Sequence, residues 1–430
     1  MRRTSFLNIA RLNVARALVL AAVAMTTSAC GSKTGLNLPD ASRDAVVPPM
    51  PALLCIDVPM LPEDQPPVEL PVSFSTRLQR ADIVFLIDVT ASMGDEIDQI
   101  RDKLRDVIAP AIEAQIPDIA LGVASFADFP VEPYGDDPID DPFTLQLPMT
   151  RDISAVQGAV NALQLESGHD QPEAQVEALY QLATGAGIGR FVPPSFGCPR
   201  GGFGYPCYRE DSLPLVFLFT DAPFHNGPSG SNPYGPEIVP PPHQYIDAIR
   251  ALRSQGIRVL GFFSGDVFDS AEELESLARD TAALDVMGNP LVFNIGFDGA
   301  SLDTSVVEAI QAFAQGIVLD VDAVVNDPNP DDGVDVRRLV SAVVPLRAEP
   351  MNGIESIDLG AGVFRGVRAG TQVTFQVQFR NDVIIPTDEP QIFEIELEFR
   401  GDGRRNLGRS RVRVVIPAID GAGCDSLVIS

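Results

Sequence analysis

Two five-residue runs constrain this chain more than any other feature. Ile83-Val84-Phe85-Leu86-Ile87 and Leu215-Val216-Phe217-Leu218-Phe219 contain no polar residue. A strand with one wet face alternates. A run apolar at every position fits a strand covered on both faces, as in a parallel sheet wrapped by helices. Helical spacings lie between such runs. Ile97, Ile100, Leu104, Ile108 and Ile112 step by threes and fours, and Pro110 should kink or end that helix. Strand patterns cover 119–126, 257–263 and 291–295. Helical ones cover 153–165, 173–183, 245–253, 271–279 and 302–314. Strand and helix in turn, from about residue 78 to 316, predict an α/β fold with a doubly wound, mostly parallel sheet.

From residue 317 the period changes to two. Val373, Phe375, Val377 and Phe379 alternate with polar residues, as do Phe393, Ile395, Leu397 and Phe399, then Val412, Val414 and Ile416. This predicts a C-terminal antiparallel β-sandwich over 317–430. The 430 residues leave room for both domains.

The N-terminus carries export signals. Arg2, Arg3, Arg11 and Arg16 precede the short apolar run Ala17–Met25, too short to span a bilayer. Thr27-Ser28-Ala29-Cys30-Gly31 resembles the bacterial lipobox, which implies removal of residues 1–29 and lipidation of Cys30. Thr27 stands where a Leu-like residue is usual, so plain cleavage after Ala29 is the alternative. Residues 30–75 read as a Pro-rich tether, with 68–75 a candidate strand of the sandwich. An exported chain meets oxidising conditions. Four cysteines remain after Cys30, and they allow three pairings. Cys198 and Cys207 bracket a Gly/Pro-rich loop and are expected to pair, leaving Cys55 with Cys424. No CxxC spacing supports a zinc site.

Lys plus Arg number 31 and Asp plus Glu 59, a formal net charge of −28. Such a chain repels nucleic acid and suits divalent cations. Three oxygen-bearing side chains alternate just past the first apolar run, in Asp88-Val89-Thr90-Ala91-Ser92. In open α/β sheets, ligands bind at the carboxyl ends of strands. Asp221 ends the other apolar run, in Phe219-Thr220-Asp221. Two strand-end carboxylates repel unless a cation sits between them. Hard oxygen donors of this kind suit Mg²⁺, Ca²⁺ or Mn²⁺.

Asp88-x-Thr90-x-Ser92 followed by Asp221 resembles the metal-ion-dependent adhesion site of von Willebrand factor A domains, a Rossmann-like fold. The resemblance spans 80–316. Asp170-Gln171-Pro172-Glu173 is similar to a segment in the A-like domains of integrin β chains, which implies that Glu173 is a metal ligand. It further implies a flanking cation near Asp128, Asp170 and Glu173, and another near Asp95 and Glu96. Gly168 stands where that group has Asn, which puts the flanking site in question. Asp95 and Glu96 read equally well as helix-start acids, and Asp128 as a loop cap. By the same resemblance a partner protein's carboxylate completes the coordination, and binding shifts the last helix, near Leu302–Ala314. Pairing of Cys55 with Cys424 would bring Val68–Phe74 into the sandwich and leave the A domain inserted in it, as integrins insert theirs.

Other features carry less. His225, in Asp221-Ala222-Pro223-Phe224-His225, reads as a plain loop residue, with a place lining the cleft rim as the alternative. The RGD tripeptide Arg400-Gly401-Asp402 reads as a turn between strands. The acidic stretch Asp327–Gly333 lacks the Glu that would close an EF-hand. No nucleophile elbow or phosphate loop suggests an enzyme. The expected protein is an exported lipoprotein, anchored to the outer membrane by its lipid, with metal-dependent protein binding. The alternative is a structural or assembly lipoprotein whose metal only stabilises the fold.

Overall fold

A computed structural model describes residues 54–62, 64–265, 268–330 and 333–426. The signal segment, Cys30, the first part of the tether and Asp331-Asp332 of the acidic stretch lie outside the described residues.

The apolar runs form the centre of a six-stranded sheet. In chain order its strands are β3 (Arg80–Asp88), β4 (Asp118–Phe126), β5 (Thr144–Thr150), β6 (Leu213–Thr220), β7 (Arg258–Phe263) and β8 (Val292–Asn294). Their spatial order is β5-β4-β3-β6-β7-β8, all parallel except the edge strand β5. Both faces are covered. Ile83, Phe85 and Ile87 enter one core, and Val84 and Leu86 the other. The helices are α1 (Gly94–Lys103), α2 (Ala109–Gln115), α3 (Ile153–Asn161), α4 (Gln175–Thr184), α5 (Tyr245–Gln255), α6 (Phe268–Asp280) and α7 (Leu302–Gly316). Pro110 does not end the first helix. A π-helical segment at Leu104–Ile108 precedes it, and Pro110 sits in the first turn of α2, where its missing N–H is tolerated. Strand β5 was not expected: it carries Pro148, which an edge tolerates.

The remaining strands are β1 (Leu54–Asp57), β2 (Val68–Ser75), β9 (Val318–Asn326), β10 (Val340–Glu349), β11 (Ser356–Asp358), β12 (Val363–Arg368), β13 (Gln372–Phe379), β14 (Gln391–Gly401) and β15 (Arg405–Ile416). They form two sheets, β1-β15-β14-β9-β12-β11 and β10-β13-β2. Within the expected tether, 54–57 is instead a strand, β1, and the candidate strand 68–75 is β2; both hydrogen-bond into these sheets. Alternate residues of β13, such as Val373 and Phe375, point into a core shared with Ile395, Val412 and one face of the central sheet. The chain leaves this architecture after β2 and re-enters it at β9. Cys55 bonds Cys424, and Cys198 bonds Cys207. The Arg400-Gly401-Asp402 stretch ends β14 and turns: Arg400 pairs with Asp322, and Asp402 pairs with Arg405. Among the described residues no helix is long and apolar enough to cross a membrane.

Candidate metal centre

Strand β3 ends at Asp88, and the chain then turns through an extended Thr90 into α1. Asp88 is fully buried. Its Oδ1 accepts from the Thr90 backbone N–H (3.0 Å) and the Thr90 hydroxyl (2.7 Å). Its Oδ2 accepts from the Thr220 hydroxyl at 2.7 Å. Thr220, last residue of β6, also receives a bond from the buried Gln175 amide at 3.0 Å. Ser92 lies 3.2 Å from the Thr90 hydroxyl and donates to Asp221 Oδ1 at 3.1 Å. One chain of oxygens thus joins Asp88, Thr90, Ser92 and Asp221 across two strand ends. Ser92 is exposed and Asp221 half-buried, so this chain opens to solvent at one end.

Glu173 comes from a different loop. The Glu173 N–H donates to the Pro223 carbonyl (3.0 Å), and the Glu173 carbonyl accepts from His225 N–H (2.9 Å). These bonds lace its segment to the one following Asp221. Helix α4 begins at Gln175, two residues later than the sequence suggests. The Glu173 side chain is buried, and its Oε2 has no hydrogen-bond partner. Gly168, at φ +57°, lies against it: a Cβ there would stand 2.6 Å from Glu173 Oε1 and 3.1 Å from Thr90 Cγ2. Asp140 holds this loop by accepting from Ser167 N–H (2.7 Å) and Gly168 N–H (3.2 Å).

Electrostatics follow from burial. Burial, then the Asp221 charge, pushes Asp88 up to about 7. Burial, then Asp88 and Asp128, pushes Glu173 up to about 12. Glu166, packed behind Thr90, is pushed up to about 8, mainly by burial. Holding Asp88 ionised at neutral pH without a counter-ion therefore costs about 4 kcal/mol. No Lys or Arg side chain pairs with Asp88, Glu173 or Asp221 among the described residues. The donor set is oxygen throughout, carries three carboxyl groups that a cation would hold in their ionised form, and includes an orphaned carboxyl oxygen. It fits a hard divalent cation held by Asp88, Thr90, Ser92, Glu173 and Asp221.

The flanking residues divide. Asp128 is buried and held through Oδ1 by Phe129 N–H (2.6 Å) and the Tyr234 hydroxyl, while its Oδ2 has no hydrogen bond. His225 is not a plain loop residue. It is buried, its Nε2 lies 3.1 Å from Asp170 and 3.4 Å from Asp128, and its Nδ1 meets the Asn232 carbonyl at 2.7 Å. Asp128, Asp170 and His225 bring one ligand atom each within 4.8 Å of one another. Sequence reading missed His225 here, although its place four residues after Asp221 was a usable signal. Asp95 and Glu96 point apart: Asp95 is exposed in the first turn of α1, and Glu96 is buried beside Ser264.

Residues 82–187 match the family model of the von Willebrand factor A domain. The fold is that of this class, a mostly parallel α/β sheet, here with a C-terminal antiparallel β-rich region. Among solved structures, a von Willebrand factor type A protein from Catenulispora acidiphila is similar at 12% identity, with 85% of this chain and 72% of that one covered and a TM-score of 0.37. The pilus adhesin SpaC from Lactobacillus rhamnosus GG, in its open conformation, is similar at 11% identity, with 81% of this chain and 45% of that one covered and a TM-score of 0.33. This chain thus spans less than half of the adhesin's length. No curated protein matches.

Proposed function

We propose that this chain is an exported envelope lipoprotein that binds a protein partner through a divalent cation at the carboxyl end of its central sheet. One observation carries the reading: Asp88 is fully buried beside Asp221 and Glu173, with only hydroxyls and a backbone N–H as partners. Asp88, Thr90, Ser92, Glu173 and Asp221 would hold Mg²⁺, Ca²⁺ or Mn²⁺. The bound ion would neutralise these acids and present an electrophilic position to a partner's carboxylate. Thr90 and Thr220 fix the Asp88 carboxylate from both sides. Exposed Ser92 and half-buried Asp221 leave the approach on the solvent side, which favours partner capture over a purely structural ion. Cys30 would anchor the chain to the outer membrane.

Isothermal titration of Mg²⁺ and Mn²⁺ into wild type and Asp88→Ala tests the ion: wild type binds and the variant does not. Pull-down from envelope extracts, with and without chelator, tests capture. Capture that survives chelation while the melting temperature falls would leave the ion a structural role only.

A further inference from the structure

The opposite end of the same sheet has the reverse imbalance. Arg258 opens β7, at the amino end of the parallel strands. Its half-buried guanidinium has no hydrogen bond and no ion pair among the described residues. It faces the Phe313 ring, whose centroid lies 5.7 Å from Cζ. A desolvated charge without a partner is costly. Burial, then the nearby Arg405 charge, draws Arg258 down to about 10.

Arg258 lies between two adjoining cavities and lines both. The smaller, of about 450 Å³, carries Arg253, Arg258, Arg279, Arg404 and Arg405 against the acids Asp280 and Asp402. The larger, of about 890 Å³, adds Arg77 and Arg368 against Asp285. In a chain of net charge −28, such a concentration of arginine runs against composition. Part of it has a structural use. Arg404 donates to the Gln255 carbonyl (3.1 Å) and Arg405 to the Gly256 carbonyl (3.3 Å), so both cap the negative end of α5. Arg253 pairs with Asp280, and Arg279 with Glu275. Capping does not account for the rest. Arg77, Arg258, Arg368 and Arg404 have no carboxylate partner among the described residues, and the buried Nε of Arg405 has no hydrogen-bond partner.

We propose that this arginine-lined cleft, where the β14–β15 turn meets the amino end of the central sheet, binds a compact oxyanion of the phosphate class bearing two or more charges. Guanidinium forks match phosphate oxygens two at a time. Several of them around one cleft select for charge density. Arg404 comes from the turn between β14 and β15 and Arg405 opens β15, while Arg253, Arg258 and Arg279 come from the A-domain elements. An anion bonded to both groups would join the sandwich to the A domain, far from the acidic cluster.

Inorganic pyrophosphate is the probe, titrated calorimetrically into the full chain after dialysis against chelator, so that no divalent ion competes for it. Wild type is expected to bind. Arg258→Met should weaken binding at least about tenfold. Arg404→Met, an exposed position that leaves the core intact, should do the same. Arg409→Met, at a position that lines neither cavity and where Arg409 pairs with Glu396, should bind as wild type does. A second arm separates the sources of phosphate. Flotation with phosphatidic acid vesicles that is lost in Arg404→Met assigns a lipid headgroup; pyrophosphate binding without flotation assigns a soluble phosphate. Wild type that neither binds pyrophosphate nor floats overturns the proposal, as do Arg258→Met and Arg404→Met variants that both bind normally.

Discussion

The two ends of the central sheet hold opposite charges, and they hold them differently. At the carboxyl end Asp88 and Glu173 are buried, with no cationic side chain paired to them among the described residues. At the amino end most arginines reach backbone carbonyls or an acid, and Arg258 is only half-buried. The chemistry of the groups sharpens the contrast. A buried carboxyl can escape its penalty by taking up a proton near neutral pH. An arginine drawn down to about 10 stays charged throughout the physiological range. The acid end is therefore a site where cations compete with protons. The arginine end is fixed in charge and can be balanced only by an anion.

The largest expected effect tests that distinction directly. Asp88→Asn should abolish divalent-cation binding, measured calorimetrically. In metal-free protein at pH 8 the same change should raise stability, by up to about 4 kcal/mol in denaturant unfolding, because it removes a buried charge with no counter-ion. A metal-free variant less stable than wild type would show that the Asp88 hydrogen bonds outweigh its charge.

Next in size is the pH profile. Asp88, Glu166 and Glu173 all titrate above their ordinary values, to about 7, 8 and 12. Their folded forms bind more protons than the unfolded chain does. The stability they contribute is thus present below the ordinary carboxyl range and is lost as pH rises through the folded values. The melting temperature of chelated protein should fall between pH 5 and pH 8, as followed by circular dichroism. Mg²⁺ or Mn²⁺ at about a hundred times its Kd should add about 2.7 kcal/mol at the upper end of that window and flatten the slope.

Thr220→Val comes third. It removes the hydroxyl that orients Asp88 Oδ2 and leaves the Gln175 amide short of an acceptor. Metal affinity should fall by about tenfold or more, with a loss of about 2 kcal/mol in stability. An unchanged affinity would mean that Asp88 needs no help from β6.

The acidic end was largely legible because its residues are close in sequence or sit at strand ends. Asp88, Thr90 and Ser92 alternate after one apolar run, and Asp221 terminates another. Thr220 lay in plain view beside Asp221, but its role depends on the register of β3 against β6, which brings the two strand ends level. The position of His225 near Asp221 was legible but its partners were not, for a related reason: Asp128, Asp170 and His225 meet only when three separate loops converge. Among the strands, β5 carries Pro148 and β2 carries Pro71, and both lie at sheet edges, where a missing N–H does no harm. Proline disguised β5 as a loop and left β2 half-hidden within the expected tether. The arginine cleft could not be read at all, since Arg258 and Arg404 are far apart in the chain and neither belongs to a motif.

The smallest effect belongs at the arginine end, and its sign makes the comparison. Asp402→Asn is the same one-atom change as Asp88→Asn, made where acids are scarce. Asp402 sits at φ +51°, a conformation that Asn tolerates well, so the backbone need not strain. Its N–H bond to the Asp320 carbonyl would persist. What goes is the charge facing Arg405, a buried guanidinium that otherwise reaches only the Gly256 carbonyl among the described residues. The variant should lose about 1 kcal/mol and bind pyrophosphate more tightly, because one competing carboxylate has left the cleft. Neutralising an aspartate thus stabilises the metal-free chain at one end of the sheet and destabilises it at the other. If both variants shifted stability in the same direction, local charge balance would not be what distinguishes the two ends.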